Sequence, residues 1–120
     1  MVKAGALRKR YILFELRGAE MPLPAGSEHA RPARAGDLDE EALKRSLYAE
    51  ALKFFGELGL SHAALKLVQY DKAKRQGILR CERGHLEDVL GFLALLDSLE
   101  GISARIVSLK ASGTIKSLAD

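Results

Sequence analysis

Tryptophan and asparagine are absent from this 120-residue chain, glutamine occurs only at 69 and 76, and there is a single cysteine. Lone Cys81 excludes an intramolecular disulfide and fits a reducing, cytoplasmic compartment. Its isolation, with His29, His62 and His85 scattered along the chain, leaves no zinc-binding spacing. No apolar run approaches the roughly 18–20 residues that cross a bilayer. Met1-Val2-Lys3 is not followed by the continuous apolar stretch of a signal peptide. There is no Walker loop, no Gly-x-Gly-x-x-Gly turn and no recognisable nucleophile motif. Glu87-Asp88 could be read as a catalytic carboxylate pair. It reads better as a pair of first-turn acids facing the positive end of a helix dipole. The sequence therefore offers no catalytic residue. Scarce amides beside many ions form a weak thermophile signature.

What is present is enough for one domain over 1–120. Apolar residues make up 48% of the chain, too many for disorder, and a chain of this size buries roughly two thirds of its unfolded surface. Arg10–Leu16 is rich in aromatic and branched residues and predicts a first strand. All three prolines, Pro22, Pro24 and Pro32, fall in 18–36, which predicts a long loop with a basic tip of His29, Arg31 and Arg34. A helix is expected from Asp37 or Asp39 as cap to about Leu58, with Gly59 ending it. Its buried stripe would be Leu43, Leu47, Ala51, Phe54, Phe55 and Leu58. Strands at 65–70 and 77–83 flank a polar turn. A second helix is expected over 85–99 with Leu86, Val89, Leu90, Leu93 and Leu96 inward, closed by Gly101, and a last strand at 104–110. The order β-α-β-β-α-β is the split βαβ pattern. It predicts an α+β, ferredoxin-like antiparallel sheet with both helices on one face. That fold hosts many unrelated activities.

Charge is unevenly spread. Residues 1–36 carry seven basic side chains against three acidic, and residues 59–83 six against two, while 37–58 and 84–120 are acidic overall. Such segregation is what a one-sided contact with a polyanion requires, although a solvated surface would read the same way. The candidate RNA-binding residues are Arg8, Lys9 and Arg10 before the first strand, Lys72, Lys74 and Arg75 on the turn, and Arg80 and Arg83 on the third strand. These groups are expected to converge. The third strand has no aromatic where an RNA-recognition domain stacks bases, so contact with a structured RNA backbone suits it better.

Apolar residues also fall on both sides of the sheet. Ile12, Phe14 and Leu16 alternate with Tyr11 and Leu13, and Ile106 with Val107 and Leu109. The second side needs a cover, either the chain's own ends or another protein. On the second helix, Phe92, Leu95 and Leu99 lie off the expected core stripe and are candidates for a protein interface; a wide core face is the plainer reading. Cys81 reads as a small core residue.

Three stretches carry a family resemblance: Ile78-Leu-Arg-Cys-Glu-Arg83, the Leu-rich helix at 86–99, and Ser112-Gly-Thr-Ile-Lys116. Together with the first strand they resemble the protein component 2 family of archaeal ribonuclease P, shared with eukaryotic nuclear ribonuclease P and RNase MRP. The loop at 18–36 has no part in the likeness. The resemblance implies an RNA-associated, ribonucleoprotein subunit acting in tRNA processing, and adds Lys116 to the RNA-binding set. It implies pairing with a TIM-barrel-like protein subunit, binding of ribonuclease P RNA, possible self-association of two such pairs in a heterotetramer, and only indirect contact with precursor tRNA. Hydrolysis would fall to Mg2+ ions on the RNA, with no cofactor bound by this chain. The alternatives are a dimerising ferredoxin-like ligand-sensing module and, behind it, a small hydrolase. An acylphosphatase-type site would need an Arg with an Asn, and there is no Asn.

Overall fold

The first strand, β1 (Lys9–Arg17), alternates as its sequence requires: Ile12, Phe14 and Leu16 are buried while Tyr11, Leu13 and Glu15 are half-exposed. The structure, a computed structural model, describes residues 8–18 and 34–119; the predicted loop tip at His29 and Arg31 lies outside these. β1 lies between β3 (Gln76–Glu82) and β6 (Arg105–Ser112), and β2 (Lys66–Asp71) pairs with the far side of β3. The strand order β2-β3-β1-β6, antiparallel throughout, is that of the ferredoxin-like fold.

Helix α1 (Glu40–Ala63) starts where the acids place it. The Asp39 carboxylate accepts the Ala42 N–H at 2.8 Å. Leu43, Leu47 and Ala51 are fully buried, and the Ser46 hydroxyl, also buried, donates to the Ala42 carbonyl. The predicted stripe fails after that. Gly56 takes φ 76°, ψ 170°, which breaks the helix, and Ala64 in the left-handed region ends it. The rotation at Gly56 takes the next turn out of phase, so Leu58 is 70% exposed rather than buried. Gly59, expected to stop the helix, sits inside its second segment.

Helix α2 (Leu86–Leu95) is shorter than expected and follows a 3-10 turn at Arg83–His85. Leu96 is already extended. The chain then forms a two-strand ribbon, β4 (Ser98–Leu99) and β5 (Ile102–Ser103), where the sequence pattern places the end of the helix over β4 and no strand at β5. Glu100 at φ 51° and Gly101 at φ 87° make the tight turn between them. The ribbon folds Leu99 back into the core. Leu99 is 0% and Phe92 3% exposed. Neither is the exposed residue that the helical spacing predicts. The 100° wheel does not apply to Leu99, which is not helical. Phe92 lies one turn from Val89 and Leu96 on a stripe wider than expected.

The helices cover one side of the sheet. On that side Phe14 stacks on Tyr70 with ring centroids 6.2 Å apart and planes within 2°. Gly77 lies opposite both in the register. The other side is partly covered by the chain itself, as one of the two expected covers. Helix α3 (Ile115–Ala119) packs against β1 and β6. Lys110, opposite Leu13 in the register, donates to the Ser117 carbonyl at 2.7 Å, and Leu118 is buried. The sequence pattern predicts no helix here. Five residues carry too little periodicity to announce one.

Candidate RNA interface

The basic side chains form two groups, not one. Strand β3 runs between them. Seven residues at about 3.3 Å each hold them roughly 20 Å apart, so the expected convergence does not occur.

At one end is the β2–β3 turn. Asp71 accepts the Ala73 and Lys74 N–H groups, an Asx turn that leaves Lys72 and Lys74 exposed. Arg75 behaves differently from the projecting tip residue that was expected. Its φ is 56°, and its carbonyl accepts the Leu16 N–H at 2.7 Å. Its guanidinium lies over Gly36, where any Cβ would collide with it. Two arginines missed by the sequence reading share this end. Arg17 and Arg105 are register partners, and Arg17 pairs with Glu15 at 2.6 Å.

At the opposite end, Arg8, Lys9, Arg10 and Arg83 do come together. The Arg83 N–H donates to the Arg8 carbonyl at 2.7 Å, which holds the two side chains on adjoining backbone. Arg10 donates to the Lys9 carbonyl, and its guanidinium rests against Gly113, where a Cβ would stand 3.1 Å from Nη1. Ser112-Gly113-Thr114 is thus tied to β1. The Thr114 hydroxyl also accepts the Ser117 N–H at the start of α3, and Lys116 on that helix is exposed. One carboxylate, Glu82, lies among these cations. It accepts N–H groups of Gly84 at 2.8 Å and Arg8 at 3.3 Å. Those bonds, that from Gly84 first, lower its pKa. Glu82 is spent on backbone. Among the described residues no salt bridge ties up Arg8, Lys9, Arg10 or Arg83. Arg80 sits one row further in, between Tyr11 of β1 and Lys66 of β2. Lys66 belongs to this end and was not singled out from sequence, because a lone lysine at a strand start carries no motif.

Cys81 is fully buried on the helix side. Burial first, then the Glu82 charge, pushes its thiol up to about 11, against a smaller opposing pull from Arg10 and Lys9. It is a packing residue. At pH 8 iodoacetamide should alkylate it at least roughly 100-fold more slowly in the folded chain than in urea, since an ordinary thiol near pKa 8.5 is substantially ionised there. Equal rates in both states would show a reactive, accessible thiol.

An apolar surface lies elsewhere, between α1 and α2. An open groove of about 290 Å³ is bounded by Lys53, Phe54, Phe92, Leu95 and Asp97. Phe54 is 49% and Leu95 72% exposed. Of the three interface candidates, Leu95 alone is on the surface. Phe54 was assigned to the core stripe, but its ring instead lies against Phe92, centroids 5.3 Å apart, and forms the groove wall. Among the described residues no group of three or more His, Cys, Asp or Glu side chains is placed to hold a metal ion.

Comparison with known proteins agrees with this architecture. Residues 10–120 match the family model described as Rpp14/Pop5 family. The chain is 36% identical over 111 residues to "Ribonuclease P protein component 2" of Pyrococcus furiosus, covering 92% of this chain and 79% of that one. It is 31% identical over 109 residues to the protein of that name from Aeropyrum pernix, covering 91% and 77%. Among solved structures, a chain in the cryo-EM structure of yeast ribonuclease MRP superposes with a TM-score of 0.58 over 89% of this chain and 75% of that chain, at 12% identity, a likeness of fold. By sequence match over nearly its whole length, the chain belongs to the Rpp14/Pop5 family.

Proposed function

We propose that this chain is an RNA-binding protein component of the ribonuclease P ribonucleoprotein, supporting its catalytic RNA in removal of 5′ leaders from precursor tRNA. The observation that carries the reading is the basic end of the sheet: Arg8, Lys9, Arg10 and Arg83 gathered with no ionic partner among the described residues, beside a carboxylate engaged by backbone. Cations placed this way neutralise phosphates and release counterions. The relatives' shared name supplies the assembly. In this reading Mg2+ ions on the RNA carry out the hydrolysis, in the cytoplasm, and the protein positions and stiffens the RNA fold. A TIM-barrel-like protein subunit is the proposed protein partner, with self-association of two pairs as a further step.

The test is reconstitution of the full chain with ribonuclease P RNA and the proposed partner, followed by precursor-tRNA cleavage. The chain alone should cleave nothing, and adding it to the RNA and partner should raise the rate. Cleavage by RNA-free protein would overturn the proposal. Replacing Arg8, Lys9 and Arg83 together with Ala should flatten the log–log salt dependence of RNA binding by about 2–3, as each phosphate contact contributes roughly 0.7–0.9. Replacing exposed Lys72 and Lys74 should have no more than about two thirds of that effect.

A further inference from the structure

We infer that the open side of the sheet holds a single-nucleotide site, with a base stacked on Tyr11 and its phosphate held by Arg80 and Lys66. This rests on the RNA-binding reading above and gives it a second contact of different chemistry. The register sets Lys66, Arg80 and Tyr11 in one row across β2, β3 and β1. All three stand on the side away from α1 and α2, the side that α3 covers in part, since their strand neighbours Leu67, Leu79, Cys81 and Ile12 fill the core.

Arg80 is the observation that points to a ligand. Its Nε is shielded from solvent yet has no hydrogen-bond partner. Among the described residues no salt bridge or hydrogen bond engages the rest of its guanidinium. A shielded donor left unmade is unfavourable, and a planar guanidinium is built to take a phosphate on two donors. Lys66 adds a second positive charge beside it, and it too has no ionic partner among the described residues. Tyr11 supplies the other half. It is half-exposed, and among the described residues neither a ring contact nor a side-chain hydrogen bond occupies it. Adjacent strands lie about 4.8 Å apart, so a phosphate on Arg80 and a base on Tyr11 are within the span of one nucleotide. The absence of an aromatic on the third strand argued against base stacking, but a central-strand tyrosine next to an unpaired arginine suffices for one unpaired base. An acidic protein segment would satisfy Arg80 and Lys66 but leave the tyrosine unexplained. The nucleotide uses all three.

The experiment is ultraviolet crosslinking of the full chain to ribonuclease P RNA transcript, with mass-spectrometric mapping and binding measured across a salt series. Wild type should crosslink at the Tyr11 peptide. Tyr11→Phe should retain affinity, Tyr11→Leu should lose about tenfold, since stacking of a base on an aromatic ring is worth that order, and Arg80→Gln should flatten the salt slope by roughly 0.7. Melting curves must match for all. Tyr11→Leu keeps an apolar residue of similar bulk, and Arg80→Gln keeps a polar stem, so folding should survive both. Wild-type binding with no Tyr11 crosslink and unchanged variants would overturn the nucleotide site and leave the RNA reading standing. Failure of the wild type to bind RNA would overturn both. Loss of a protein partner in Arg80→Gln with RNA affinity intact would assign the site to protein instead.

Discussion

Gly77→Ala should lower the melting temperature by about 10–20 °C, although it adds one methyl group. The strand places Gly77 under the Phe14–Tyr70 stack, opposite Phe14 on one side and Tyr70 on the other. A Cβ there would stand 2.7 Å from the Gln69 carbonyl oxygen and 2.7 Å from the Phe14 ring. The oxygen belongs to a paired strand and the ring is fully buried, so neither yields without disturbing the sheet. Overpacking of this kind costs about 1–3 kcal/mol. In a domain of this size each kilocalorie shifts the midpoint by roughly 4–8 °C. Gly91→Ala is the counterpart. Gly91 is in α2 and its added Cβ meets nothing within 4 Å. That change should stabilise by about 0.5–1 kcal/mol through helix propensity. Thermal melts of both variants, measured together, check the pair. Equal and small shifts would mean that the Phe14–Tyr70 stack is loose enough to absorb a methyl.

Leu95→Glu and Leu99→Glu should separate completely, although sequence spacing put both on one surface. Leu99 is wholly enclosed, and a carboxylate there must be buried without a partner or expel the ribbon from the core. The expected result is an unfolded or molten chain. Leu95 is largely in water, so its charge should leave the melt within about 0.5 kcal/mol. In the assembled complex, a charge placed in an apolar contact beside Phe54 should weaken association by roughly 2 kcal/mol or more if the groove is a binding centre. Light scattering of the pair with the proposed partner, beside a melt of each variant alone, reads both. Undiminished association of Leu95→Glu would remove the groove from the interface.

The contrast between those two leucines shows where the sequence ran short. The four strands of the main sheet and the starts of α1 and α2 were legible because each is set locally. Period-two alternation marks Ile12, Phe14 and Leu16, and a carboxylate at 39 can cap only the helix that follows it. Helix ends depend on backbone conformations that composition does not specify. Glycine at 56 and at 59 look alike in sequence, yet the break is at 56. The Glu100-Gly101 turn was read as the end of a helix, though it closes a ribbon. The candidate site divides in the same way. Arg8, Lys9, Arg10 and Arg83 could be named from charge, but not the backbone bond that joins Arg8 to Arg83. Arg75 was counted with Lys72 and Lys74 because of its neighbours in sequence. Its left-handed φ and its place over Gly36 are products of the tertiary fold. Lys66 emerges only from cross-strand register.

The hydroxyl of Tyr48 accepts the Leu67 N–H at 2.8 Å, at the start of the outermost strand. That amide is no longer available to a strand arriving from outside. One residue further on, the register slips between Leu67 and Gln69, so the rim of β2 does not present an even row of donors and acceptors. The opposite rim, β6, carries Arg105 and Lys110 and a slip of its own against β1. Both borders are therefore poor templates for edge-to-edge addition, the route by which small sheets polymerise. That leaves helix faces and the flat of the sheet as the contact surfaces, where side chains rather than main chain choose the neighbour.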